Sequence, residues 1–143
     1  MGLINRLFKR QPPVVIDDPV FGRLKFDGSS WSTDWNALPL ACTIGIVAGR
    51  EGPSQRQREF FGELEHRWAE LNAAGLAFVR ANASEFELEH ADMAELAPYA
   101  LVICSDVDCD AGKFTIEYTD SVADVVCGAG FKGGVPAEYY ADD

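Results

Sequence analysis

Apolar and polar positions along this chain follow two periods, and each change of period marks a change of element. From Val14 the pattern is short and strand-like. Val14 to Ile16 forms one run, and in Phe21 to Phe26 the positions Phe21, Arg23 and Lys25 alternate with Gly22, Leu24 and Phe26. The turn-forming Asp17-Asp18-Pro19 separates the two runs, and Asp27-Gly28-Ser29-Ser30 is a second turn signal ahead of Trp31 and Trp35. Leu38 to Ala48, β-branched at Thr43, Ile44, Ile46 and Val47, predicts a central strand.

The period then lengthens. Phe60, Phe61, Leu64, Trp68, Leu71 and Phe78 recur at steps of three, four and seven, which predicts one long helix over Ser54 to Phe78 with a single apolar face. Ser54 and Gln57 have capping-box spacing at its start, just after the loop Gly49-Arg50-Glu51-Gly52-Pro53. A polar connection over 82–91 leads to a short helix expected over Asp92 to Ala97, closed by Pro98. Strands return at Tyr99 to Cys104, Lys113 to Thr119, Ser121 to Cys127 and Val135 to Ala141.

The connections in this last part are too short for parallel crossovers, so it is expected to be an antiparallel meander. The whole is an α+β fold: an antiparallel sheet with one long and one short helix packed on one face. Residues 1–13 are expected to be a flexible basic tail, because Leu3, Ile4, Leu7 and Phe8 with Arg6, Lys9 and Arg10 make only two helical turns before Pro12 and Pro13. Residues 14–143 form the single domain that a chain of 143 residues supports.

Charge changes the picture more than composition does. The chain carries 12 basic and 23 acidic residues, a net of −11. Residues 1–80 hold 10 of the basic and 9 of the acidic side chains, and residues 81–143 hold only Lys113 and Lys132 against 14 acids. The first part is nearly neutral and the second carries a net of −12. Such a field repels nucleic acid and anionic membrane, and steers a basic protein toward the acidic half within a Debye length of about 8–10 Å. No apolar run approaches the roughly 20 residues of a membrane span, and the start lacks the features of a secretory signal, so a cytoplasmic location is expected.

Candidate chemistry concentrates in one segment. Asp106, Asp108, Asp110 and Glu117 occupy positions 1, 3, 5 and 12 of a calcium loop, but Ala111 stands where that loop needs Gly, Lys113 where it takes an aliphatic residue, and the flanks read as strands. The competing reading is a hairpin loop whose aspartates serve turn chemistry. Gly128-Ala129-Gly130-Phe131-Lys132-Gly133 spells a dinucleotide fingerprint with no following helix, which suits a bulge or loop between the last two strands. Cys42, Cys104, Cys109 and Cys127 are expected as buried thiols, since only Cys104 and Cys109 are close enough to start a zinc site. His66 and His90 are expected on solvated surface, and no Ser or Cys has the partner spacing of a nucleophile. No cofactor and no catalytic residue is assigned.

Several short motifs together resemble a set of small bacterial domains of unknown function. They are Asp18-Pro19-Val20-Phe21-Gly22-Arg23-Leu24, then Trp31 and Trp35, then Gly52-Pro53 with Gln57 and Phe60-Phe61. Leu96-Ala97-Pro98-Tyr99, Ile103 and Ile116-Glu117-Tyr118 complete the likeness over residues 17–120, which fails at the Gly-rich stretch from Gly128 to Gly134. The resemblance implies an immunity-type protein that binds and blocks a toxin, and it brings no catalytic residues. The sequence therefore points to a non-enzymatic domain that meets a basic partner through Asp106, Asp108, Asp110 and Glu117, with Glu85, Glu87 and Glu89 as a second acidic run. Two alternatives stay open: a calcium or metal module built on the same Asp loop, and an enzyme whose site is assembled from distant residues.

Overall fold

The computed structural model describes residues 14–33, 40, 42–83, 96–120 and 126–142. Eight strands form one sheet in chain order: β1 (Val14–Asp18), β2 (Gly22–Phe26), β3 (Trp31–Thr33), β4 (Thr43–Ile46), β5 (Ala97–Ile103), β6 (Phe114–Thr119), β7 (Val126–Lys132) and β8 (Val135–Asp142). Three helices accompany them among the described residues: α1 (Gln55–His66), α2 (Trp68–Asn82) and α3 (Asp106–Asp110). The α+β class is as expected from the sequence. The sheet is not purely antiparallel, because β4 and β5 run parallel, Ile44 beside Leu101 and Ile46 beside Ile103. The reason is connection length: the segment between them holds both long helices, ample for a crossover.

The single long helix expected over 54–78 is two. They meet at Arg67, whose backbone leaves helical values at φ −109, ψ 12. The capping box at the start of α1 is present, with the Ser54 hydroxyl accepting from the Gln57 amide and the Gln57 side chain accepting from the Ser54 amide. The short helix expected at Asp92 to Ala97 lies outside the described residues up to 95, and Ala97 itself opens β5. The basic tail over 1–13, Trp35, and 121–125 of the strand expected from Ser121 also lie outside them.

The glycine-rich stretch is a strand and a tight turn. Gly128 and Gly130 sit inside β7, and Gly133 (φ 58) with Gly134 (φ 75) makes the two-residue link to β8, with Lys132 facing Val135. Two successive positive φ values are what such a hairpin link needs to match strand twist, and glycine takes them without steric penalty.

One row of the inner face runs Phe26, Trp31, Ile46, Ile103, Phe114 and Phe131 across six strands. All but the half-buried Phe26 are closed from solvent, and Phe60, Phe61 and Leu64 of α1 with Leu71 and Val79 of α2 cover this face. Burying a side chain of this size contributes about 1.5–3 kcal/mol. Phe114 stacks on Phe131 with centroids 4.4 Å apart and meets Phe60 edge-on at 6.0 Å. Gly75 lets α2 come down onto Tyr118, whose hydroxyl donates to the Asn72 carbonyl oxygen at 3.2 Å. Gly22, Asp18 and the Val20 and Phe21 amides close the β1–β2 turn, so the Asp-Pro-x-x-Gly-x-Leu motif is a turn whose Leu24 enters the core.

Candidate functional site

The carboxyl ends of the parallel strands are where an open α/β sheet would receive a ligand, because a crevice opens where chains depart to opposite sides. Here the departure is to one side. The chain leaves β4 for α1 and β5 for α3, and α1 touches α3. Gln57 fills the space between. It is 2% exposed, its Nε2 donates to the carbonyl oxygens of Val47 (2.8 Å) and Cys104 (2.7 Å), and its Oε1 accepts from the Ser54 amide at 2.9 Å. One side chain thus pins both strand ends to the first turn of α1, and every hydrogen-bonding group of the amide except one proton-accepting lone pair is used.

The predicted acidic residues lie at this same end of the sheet. Asp106, Asp108 and Asp110 are on α3, where a loop was expected; the correction has a local cause, since Ser105 caps the helix and accepts from the Asp108 amide. Each carboxylate is already engaged. Asp106 Oδ1 accepts from the Ser54 hydroxyl, Asp108 Oδ2 from the Ser105 hydroxyl at 2.9 Å, and Asp110 Oδ1 from Arg56 Nε at 2.7 Å. Arg56 lies over the Phe60 ring and holds Glu63 with its Nη1 at 3.1 Å. Glu117 stands apart on the uncovered face of β6, accepting from the Tyr140 hydroxyl at 3.0 Å above Gly128. Glu85, Glu87 and Glu89 lie outside the described residues.

These acids do not converge. Among the described residues no group of three or more His, Cys, Asp and Glu side chains is placed to hold a metal ion. The four cysteines are free thiols. Burial pushes the Cys42 and Cys109 thiols up to about 11, and burial with the nearby Asp108 raises Cys104. A thiol so shifted is a poor nucleophile near neutral pH. His66 is exposed at the end of α1, and His90 lies outside the described residues.

The sequence did not reveal that apolar side chains share this end. Val47 follows β4, Val107 is on α3, and Val135 opens β8; all three are exposed, Val107 at 77% between Asp106 and Asp108. Two clefts flank it. One of about 240 Å³ is lined by Cys104, Asp108, Lys113, Thr115, Lys132 and Glu138, with Lys132 held by Glu138 at 3.0 Å. The other, about 330 Å³, lies between α1 and the glycines that follow α3 and β7.

No helix among the described residues is long and apolar enough to cross a membrane. Comparison with protein-family models, with curated proteins and with solved structures returns no match.

Proposed function

We propose that this chain is a non-enzymatic protein-binding domain that acts in the cytoplasm and meets a basic partner with the carboxyl end of its sheet. The observation that carries the reading is Val107, a large apolar side chain 77% exposed on a five-residue helix, flanked in sequence by Asp106 and Asp108. An apolar knob among carboxylates suits an interface in which an anchor is desolvated at the centre and charges steer approach. Val47 and Val135 are further exposed apolar side chains at the same end of the sheet, and the net charge of −12 over residues 81–143 supplies the field. The crevice where a nucleotide or small substrate would sit is filled by Gln57, which also favours surface binding over catalysis.

The resemblance to immunity-type domains supports the same reading and supplies a partner class, a toxin with a basic surface. Affinity capture with the full chain tests it. A basic protein is expected to be retained at low salt, released at high salt, and lost from both Val107→Asp and the triple variant D106N/D108N/D110N. A captured partner held equally by all three chains, or one indifferent to salt, overturns the proposal.

A further inference from the structure

The sheet is open, and its two edges, β1 and β8, are built differently. An edge strand offers a row of backbone donors and acceptors to any further strand, and proline, bulges and charge are the usual guards against that pairing. β8 carries such guards. Pro136 removes one donor, the ladder shifts register beside Gly130 and Phe131, and Glu138 and Asp142 add charge within the half of net −12. β1 has no proline, no lysine and no bulge, and it pairs residue for residue with β2 from Val14 and Phe26 to Asp18 and Gly22. Its two carboxylates lie at one end, and Asp18 is turned inward to Arg58.

The apolar end of β1 is incompletely covered. Val14 pairs with Phe26 and so prolongs the inner-face row that is closed from solvent on the strands beyond, yet Val14, Ile16 and Phe26 are only half-buried. Val15, on the face away from the helices, is 40% exposed. Among the described residues no strand other than β2 pairs with β1. The core thus ends in three consecutive apolar side chains partly in water, beside an open ladder.

Charge distinguishes what can cover that edge. A second copy docked at β8 would set two acidic halves against each other. Docked at β1 it brings together the two nearly neutral halves, and the β5 strands at which the acidic halves begin stay nine strand spacings apart, roughly 40 Å and several Debye lengths. An antiparallel β1–β1 ladder centred on Val15 also sets Val15 against its own copy and Val14 against Ile16, apolar against apolar on both faces, while neither Asp17 nor Asp18 meets its own copy.

We infer that β1 is a self-association edge: two copies of this chain pair β1 with β1 about a two-fold axis at Val15 and form one continuous sheet. Five residues a side make a small interface, so the dimer is transient and depends on concentration. The inference is independent of the partner surface at Val107.

Sedimentation equilibrium of the full chain tests it. The wild type is expected to rise from one chain mass toward two between micromolar and millimolar concentration. Val15→Lys and Val15→Glu each set like charges opposite one another across the axis and are expected to stay at one chain mass. An equimolar mixture of these two variants is expected to regain the dimer, which also shows that both are folded. Val135→Lys at the start of β8 is expected to associate as the wild type does. A wild type that stays at one chain mass at every concentration, a dimer that survives in both single variants, a mixture that stays monomeric, or a dimer lost in Val135→Lys overturns the inference.

Discussion

Arg58 of α1 closes on the buried carboxylate of Asp18 at the end of β1, with Nη2 at 2.8 Å and Nε at 2.9 Å from Oδ2. Oδ1 of the same group takes the amides of Val20 at 2.9 Å and Phe21 at 3.0 Å. The Asp18 side chain is 1% exposed, so its charge is removed from water and fully compensated by the helix and the turn.

Breaking that contact is expected to destabilise the fold by about 2–3 kcal/mol for Arg58→Met, which strands a buried carboxylate; the quarter-exposed guanidinium keeps the effect below that of a fully buried pair. Burial alone would raise the Asp18 pKa, but the Arg58 hydrogen bond and the Phe21 and Val20 amides outweigh it, and the carboxyl stays below its ordinary value of 3.8. A lowered folded pKa means the contribution is present above the unfolded value and is lost as pH falls through the folded one. Urea midpoints measured between neutral pH and pH 3 check this: the gap between wild type and Asp18→Asn is expected to shrink as the solution is acidified.

Gln57→Ala is expected to cost about 3 kcal/mol, because it removes the amide donor from the Val47 and Cys104 carbonyls, leaving the latter only the weak Cys109 thiol, and removes half of the capping box. Gln57→Glu keeps the size but faces a buried carboxylate toward two carbonyl oxygens. Its folded pKa is then raised, so that variant is expected to lose stability as pH rises through that value and to recover in acid. Thermal midpoints across pH distinguish the two variants.

Gly75→Ala would gain about 1 kcal/mol on helix propensity alone. A Cβ there overlaps the hydroxyl of Tyr118, which is buried and fixed to the Asn72 carbonyl. The expected outcome is a net loss of about 1–3 kcal/mol from overpacking, reduced when Tyr118→Phe removes the hydroxyl. A double-mutant cycle by chemical denaturation reads the coupling.

Calcium added to the purified chain is expected to give no saturable heat by titration calorimetry. Asp106, Asp108 and Asp110 project from a helix and are held by Ser54, Ser105 and Arg56, while Glu117 is engaged by Tyr140 on the sheet.

How much of this was legible beforehand depended on whether a signal was local. The capping box at Ser54 and Gln57 and the alternation in β6 are written within a few residues and are found where the pattern puts them, while the β1–β2 turn falls at Pro19 to Phe21, two residues later than the expected Asp17-Asp18-Pro19, because Asp17 and Asp18 pair with Arg23 and Gly22 in the ladder. The helix break at Arg67 was hidden because Trp68 and Leu71 continue the apolar row across it. The parallel pairing of β4 with β5 has no local signal, because strand direction is set by the helical connection between them and not by the apolar runs themselves. At the candidate site, the acids of α3 were visible as a run of charges, but their placement at the same end of the sheet as Val47 and Val135 and the double role of Gln57 depend on strand pairing.

The parallel seam between β4 and β5 divides the sheet into two four-stranded meanders, each continuous in sequence and neighbour-paired throughout. Within each meander consecutive strands are joined by ten residues or fewer, whereas the seam must bring together strands as distant as Ile46 and Ile103. Closing so long a loop carries an entropic penalty that the hairpins escape. Pairing within each meander is therefore expected to precede pairing across the seam, an order that φ-values at Ile46 and Ile103 lower than those in the hairpins would show.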